Sequence, residues 1–151
     1  MKSINAIRFG GQDVLPLIEG GKGVSVSTGV SAGHWAAAGG IGTVSAVNAD
    51  SYDEDGNRVP QIYHGRTRRD RQQELIRYAI DGGITQVKIA REISGGKGRV
   101  PVNILREMGG AEEIIHGILV GVPGLVPGVT CCAGTPYRLS EIGTPLAVPY
   151  S

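Results

Sequence analysis

The strongest constraint on the fold of this chain is the order in which short apolar runs and helical patterns follow one another. Residues 17–47 read LIEGGKGVSVSTGVSAGHWAAAGGIGTVSAV, and they predict a strand, a short helix and a second strand joined by short loops, as in a βαβ unit. We expect Ser31 to be the N-cap of that helix and Gly39-Gly40 to end it. The compact β-branched run that follows, IGTVSAV, is typical of a buried strand.

The rest of the sequence continues this alternation. Two short extended segments joined by a Gly-Gly turn are predicted over AIRFGGQDV. Two helices are predicted over TRRDRQQELIRYAI, with Thr67 as N-cap, and ITQVKIAREI, with a break at Asp81-Gly82-Gly83 between them. Strands are predicted over VPVNIL and GLVPGVTCC, an amphipathic helix over GAEEIIHGILVGV, and a final short helix in AGTPYRLSEIG. The order β-α-β-(α-α)-β-α-β-(α) predicts an α/β fold with parallel strands.

An open doubly wound sheet and a (β/α)8 TIM barrel both fit this order. A complete barrel needs ~250 residues and eight strands, whereas this sequence of 151 residues has about half of each. We therefore expect residues 1–151 to form a single domain, a partial (β/α) barrel of about four βα units. The polar segment 48–66 is predicted to be a long loop, and 144–151 an irregular tail.

Composition limits the classes of function. The 25 glycines are about twice the usual ~7% share, which indicates many tight turns or close backbone approach to a ligand. A net charge of +1 gives no general attraction to nucleic acid, and no apolar run approaches the length of a bilayer span. The two cysteines, Cys131 and Cys132, are adjacent, so they form neither a disulfide framework nor a CxxC motif. These features predict a cytoplasmic protein with reduced thiols and no nucleic-acid or membrane partner.

Three local motifs are better explained without a catalytic role. The segment GGKG is not a P-loop, because Gly23 follows Lys22 where that motif needs Ser or Thr. His116 stands four residues after Glu112, but the pair lacks the HExxH pattern and is predicted to be a surface pair rather than a metal site. The arginine-rich run RTRRDR is predicted to be a solvated helix face.

The segment PLIEGGKGVSVSTGVSAGHWAAAGGIGTVSAV resembles the first βαβ unit of the nitronate monooxygenase family (formerly 2-nitropropane dioxygenases), which are FMN-dependent TIM barrels. The likeness continues in order through VPVNILREMGG and GVTCCAGTPYRLSEI, which are similar to the third and fourth strand ends of that family. It covers the N-terminal half of such an enzyme. The resemblance implies oxidation of nitronates or nitroalkanes to a carbonyl compound and nitrite. The family's catalytic His and FMN-phosphate loops belong to the other half, so the chain is expected to be inactive alone, and its catalytic base is unassigned.

The resemblance also implies which residues would contact the flavin. A flavin ring lies flat across the C-terminal ends of barrel strands, where glycine lets the backbone approach closely. By matching position, the cofactor-binding residues are Gly20, Gly21, Lys22, Ser45, Asn103, Thr130, Cys131 and Gly134. Two positions depart from the family pattern: Lys22 stands where many members have Met, and Cys132 adds a side chain where the family prefers none.

A half-barrel would expose edge strands and an apolar sheet face, and these need a covering partner. We therefore expect a homo-oligomer or a complementing C-terminal half, in addition to a small-molecule substrate such as a nitronate. Two other functions are compatible with the sequence. One is a flavin-dependent NAD(P)H or enoyl reductase, since those relatives share the same opening, and the other is a non-catalytic structural half-barrel fragment.

Overall fold

The protein has a mixed α/β architecture, and the computed structural model describes residues 4–132. The elements in chain order are β1 (Ile7–Phe9), β2 (Gln12–Val14), α1 (Gly29–Ala37), β3 (Val44–Ser45), α2 (Arg68–Ser94), β4 (Val102–Leu105), α3 (Ala111–Gly121) and β5 (Val129–Cys132). Strands β1 and β2 form an antiparallel hairpin, as the Gly-Gly turn predicted. The predicted final helix and the 144–151 tail lie outside the described residues.

Strands β3, β4 and β5 form a three-stranded parallel sheet in chain order, which confirms the predicted α/β class and parallel pairing. The predicted first strand is reduced to a single parallel bridge between Ile18 and Ile41, and Ile41 in turn bridges to Arg99. The extended segment at Ile18 thus lies beside the chain that leads into β3. These strands form an open sheet, and no barrel is closed within residues 4–132.

One face of the sheet packs against the helices. Val102 and Ile104 of β4 are fully buried in the main core with residues of α2 and α3, and Val129 and Cys131 of β5 pack against the same core. Side chains alternate between the two faces of a strand. The alternate residues of the three strands, including Asn103 and Thr130, therefore lie on the opposite face.

The N-termini of α1 and α2 test the two predicted N-caps. Thr67 caps α2 through a capping box, in which its hydroxyl accepts from the Asp70 N–H and the Asp70 carboxylate accepts from the Thr67 N–H. This prediction is confirmed. Ser31 is not the N-cap of α1, because Thr28 takes that role and its hydroxyl accepts from the Ser31 N–H. The preceding turn supplies a suitable side chain, so the helix begins one turn earlier than the Ala-rich pattern indicated.

The predicted break at Asp81-Gly82-Gly83 is wrong, because α2 is one continuous helix of 27 residues. Gly82 lies against the loop after β3, where an added Cβ would be 1.8 Å from the carbonyl oxygen of Ala49. Gly83 similarly faces Ile118 of α3. The two glycines therefore allow close packing on α2 and do not end a helix. Despite the length of α2, none of the helices in the described part is long and apolar enough to cross a membrane.

The segment 48–66, expected to be a long loop, ends against the N-terminal half of α2. The Glu74 carboxylate accepts from the backbone N–H groups of His64 and Gly65, at 3.0 and 3.1 Å. The Tyr78 hydroxyl accepts from the Ile62 N–H at 3.2 Å and donates to the Ile62 carbonyl at 2.8 Å. These contacts hold the end of the segment on the helix.

We predict that Gly82→Ala lowers the free energy of unfolding by about 1–3 kcal/mol, because the new methyl group would overlap a backbone carbonyl that cannot rotate away. At an exposed position inside a helix the same change would stabilise by roughly 0.5–1 kcal/mol. The sign of the effect, measured by urea unfolding, therefore tests the contact with Ala49.

Gly20→Ala is the matched control for this measurement, because within residues 4–132 an added Cβ at Gly20 would meet no atom within 4 Å beyond its two chain neighbours. Its free energy of unfolding should stay within about 0.5 kcal/mol of the wild-type value. A Gly82→Ala protein as stable as the wild type would contradict the packing described for α2.

Candidate functional site

Three polar side chains form a row across the parallel sheet. Ser45, Asn103 and Thr130 are paired in register on β3, β4 and β5, on the face turned away from the helical core. Ser45 and Asn103 are buried, whereas Thr130 is exposed at the edge strand. The row includes Ser45, the last residue of β3, and the second of the four residues in β4 and in β5.

Asn103 is the centre of this row. Its Oδ1 atom accepts a hydrogen bond from the Thr130 hydroxyl at 3.1 Å and another from the Cys132 thiol at 3.2 Å. An amide oxygen is an acceptor and an amide nitrogen a donor, so these two donors set the orientation of the side chain. Within residues 4–132 the Nδ2 group forms no hydrogen bond to protein, and it is the end of Asn103 that can donate to a ligand.

The glycine-rich loop after Glu19 contacts the Asn103 side chain. A Cβ added to Gly21 would lie 2.5 Å from Cγ of Asn103, so the backbone can approach this closely because residue 21 is a glycine. The loop then turns across the end of β3, where the Ser27 carbonyl accepts from the Ser45 N–H at 2.9 Å. The Ser27 hydroxyl in turn accepts from the Lys22 N–H at 2.9 Å. Loop 20–27 therefore covers part of the polar row.

Glu19 is a buried carboxylate that our sequence analysis missed. Its oxygens accept from the Ser31 hydroxyl at 2.5 Å and from the Thr43 N–H at 3.4 Å, and the Lys22 ammonium lies 3.6 Å away. The Glu19 side chain is 3% exposed and that of Lys22 is 58% exposed. A carboxylate placed directly after the apolar Leu17-Ile18 pair was the available signal, because buried carboxylates require partners.

Gln86 is a second buried polar residue that was missed. From α2 its Oε1 atom accepts from the Gly29 N–H at 2.6 Å, and its Nε2 group donates to the Asp50 carbonyl at 2.7 Å. It therefore joins the first turn of α1 to the loop after β3. Gln86, Ser45 and the serines of loop 20–27 line one small cleft, whose empty volume is about 180 Å³ including space open to solvent. The apolar pattern of α2 gave no signal for Gln86, since glutamine is common on solvated helix faces.

The structure brings most, but not all, of the predicted residues together. Those that meet are Gly21, Ser45, Asn103 and Thr130, with Gly20 and Lys22 in the covering loop. Cys131 packs on the helical face of the sheet, in the row of Ile104, and its neighbour Cys132 contacts Asn103 instead. The predicted contact at Gly134 lies outside the described residues.

Burial raises the pKa of the Cys131 thiol, and the neighbouring Cys132 raises it further, while Arg106 partly opposes both effects. Over the part of the chain that the structure covers, no group of three or more His, Cys, Asp or Glu side chains could hold a metal ion. The site offers hydrogen-bond donors and closely approaching backbone, which are groups that orient a polar ligand.

Comparison with known proteins identifies no family. No family model matches the chain, and the search of curated proteins found no match. The cofactor-binding roles of the site residues therefore stay predictions that rest on the sequence resemblance and on the geometry of the polar row.

We predict that Cys132 reacts with a disulfide reagent such as DTNB several-fold faster than Cys131 at pH 8. The raised pKa of Cys131 leaves less thiolate at that pH, and its side chain is partly buried, whereas Cys132 is exposed. The two rates are measured separately in the Cys131→Ala and Cys132→Ala proteins. Equal rates, or faster reaction of Cys131, would contradict the assignment of the two thiols to opposite faces.

Proposed function

We propose that this chain provides FMN-contacting strand ends of an oxidoreductase of the nitronate monooxygenase type, and that it is inactive without further protein. The observation that carries the proposal is the environment of Asn103. Its Oδ1 atom is held by Thr130 and Cys132, its Nδ2 group is available to donate, and the backbone of Gly21 lies against it. Ligands of parallel α/β sheets bind beyond the carboxyl ends of the strands, and the row reaches that edge at Ser45, the last residue of β3, where loop 20–27 covers it.

The strand order supports a partial (β/α) barrel as the finer description of the fold. Connections between parallel strands are right-handed, so strands added always in one direction place their helices on one side of the sheet. A doubly wound sheet instead reverses its strand order at a switch point. The segment at Ile18 and strands β3, β4 and β5 follow one another without reversal. This order favours the barrel over the doubly wound alternative.

The residues at the strand ends fit a flavin ring. Asn103 Nδ2 would donate to its polar edge, and Gly20 and Gly21 would let the loop backbone lie close to it. When bound, FMN supplies the electron-accepting chemistry by which this class of enzyme oxidises a nitronate to a carbonyl compound and nitrite. Thr130 would orient Asn103, and Cys131, on the helical face, would stabilise the core instead of contacting the ring.

The Lys22 side chain would bind the substrate rather than the flavin. A nitronate is an anion, and the exposed ammonium of Lys22 provides a cation beside Gly21. Buried Glu19 lies 3.6 Å from that ammonium and limits its positions. The catalytic base is not assigned to any of these residues.

We predict that Asn103→Asp greatly weakens FMN binding, measured by the visible absorption spectrum after incubation with FMN and desalting. The aspartate keeps the shape and the acceptor oxygen that Thr130 and Cys132 require, but it replaces the free N–H donor with a negatively charged acceptor. The loss of the Nδ2 donor, together with repulsion between the new carboxylate and the acceptor atoms of the flavin edge, should weaken FMN binding about tenfold or more.

Asn5→Asp is the matched control, because it introduces the same charge at an exposed position far along the chain from the polar row. The wild type and this control should retain flavin bands, and Asn103→Asp should not. A wild-type protein that folds cooperatively yet stays colourless would favour the second candidate, a non-catalytic half-barrel. The burial of Ser45 beneath loop 20–27 is the observation that favours that candidate.

Exposed apolar side chains beside the open sheet indicate that a partner covers this surface. Val24 and Val26 of the covering loop and Ile18 of the edge segment are each more than half exposed, and Leu105 is 38% exposed at the end of β4. We propose that a second copy, or a complementing C-terminal half, covers this region. The free thiols of Cys131 and Cys132 fit the reducing cytoplasm as the place of assembly.

For the isolated chain we predict a dimer or a larger homo-oligomer in sedimentation velocity at micromolar concentration. Replacing Val24 and Val26 with serine removes two exposed apolar side chains and should shift the distribution toward the monomer. A monodisperse wild-type monomer would contradict self-association and leave the complementing half as the proposed partner.

A further inference from the structure

A second cleft lies at the opposite end of the sheet from the polar row. It is formed by the last turn of α2 and the SGGKGR turn, residues 94–99, which leads toward the start of β4. Three cationic side chains line it, those of Arg91, Lys97 and Arg99, together with Ser94 and Leu125. Among residues 4–132 no acidic side chain lines the cleft, whose empty volume is about 290 Å³ including space open to solvent.

Arg99 is held in place by the N-terminal hairpin. Its Nε group donates to the Phe9 carbonyl at 3.3 Å and its Nη2 group to the Gly10 carbonyl at 2.5 Å. The Nη1 group forms no hydrogen bond to the rest of the described chain, so donors of the guanidinium stay available. Burial lowers the pKa of Arg99, and the charges of Arg91 and Arg8 lower it further, which means that like charges converge here.

Arg91 is brought to the turn by a glycine. Gly96 has φ +80°, and a Cβ added there would lie 2.8 Å from Nη1 of Arg91. The guanidinium therefore lies directly against the turn. One cation in the last turn of a helix is explained by the helix dipole. Lys97 and Arg99 follow the end of α2, so the dipole does not account for the whole cluster.

The cluster lacks a neutralising carboxylate among the residues the structure describes. Residues 4–132 contain three ion pairs, and none of them involves Arg91, Lys97 or Arg99. The nearby Arg8 is paired with Asp13. Charges of one sign gathered in a cleft attract a counter-ion of the other sign. Two guanidinium groups and an ammonium are the side chains that recognise tetrahedral oxyanions, because they offer several donors together with positive charge.

We propose that this cleft, the Arg91–Lys97–Arg99 cleft, binds a phosphate group, either as inorganic phosphate or as the phosphomonoester of a small metabolite. The site is separate from the polar row and does not depend on flavin binding. Arg99 pairs with Ile41 before β3 and β4 begin, whereas Ser45 and Asn103 lie further along the same strands.

The proposal is tested by isothermal titration of the full chain with sodium phosphate and with glycerol 3-phosphate, at an ionic strength held constant with sodium chloride. The test variant is Arg91→Gln/Lys97→Gln, in which both changed side chains are exposed and the hairpin contacts of Arg99 are kept. The control is Arg69→Gln/Arg77→Gln, which removes the same charge from exposed positions nearer the N-terminus of α2.

We expect saturable binding close to one phosphate per chain in the wild type. The dissociation constant should rise about tenfold or more in the test variant and stay within about twofold in the control. Tighter binding of glycerol 3-phosphate would identify a phosphomonoester as the ligand, and equal or weaker binding would identify inorganic phosphate. The proposal is overturned if no saturable heat appears above the chloride background, or if both double variants weaken binding equally.

Discussion

The parallel register of β3, β4 and β5 is the constraint on which both the core and the candidate site depend. It places Val44, Val102 and Val129 in one row and Ser45, Asn103 and Thr130 in the next. Because neighbouring residues of a strand face opposite ways, the first row packs toward the helices and the second forms the polar row. A slip of one residue in any strand would exchange the rows, burying a polar side chain in an apolar core and exposing valine in its place.

The two ends of the sheet have different chemistry. Around the polar row, the polar groups Glu19, Asn103 and Gln86 are buried and hydrogen-bonded, so they are fixed in one arrangement. At the opposite end, Arg91, Lys97 and Arg99 remain accessible and lack carboxylate partners in the described chain. The first arrangement suits orientation of a planar ligand by a few directed bonds, and the second suits attraction of a small anion.

Sequence reasoning was most successful where local chemistry determines structure. The β-branched runs became β3 and β4, and Thr67 with Asp70 formed a capping box. It failed where the outcome depends on packing between distant segments. The Gly82-Gly83 pair suggested a break, yet Ala49 and Ile118 pack against these glycines within a continuous helix.

The site was predicted in outline only, because part of it depends on local sequence and part on packing between distant segments. Glycines and amides at the strand ends were visible in the sequence, and the structure brings Gly21, Asn103 and Thr130 together. The face on which each cysteine lies was not visible, because it depends on the register of β5 with β4. Gln86 was also hidden, since its partners, Gly29 and Asp50, are distant in sequence from α2.

The proposed function depends most on donation of a hydrogen bond to a flavin by the Asn103 Nδ2 group, which bonds to no acceptor within residues 4–132. The most direct test is the ¹H–¹⁵N spectrum of the side-chain amides during titration with FMN, with the Asn103 signal assigned by its absence from the Asn103→Asp protein. This signal should shift on FMN addition, while the signals of the Asn5 and Asn57 side-chain amides should stay in place. An unchanged Asn103 signal at saturating FMN would contradict the proposed hydrogen bond.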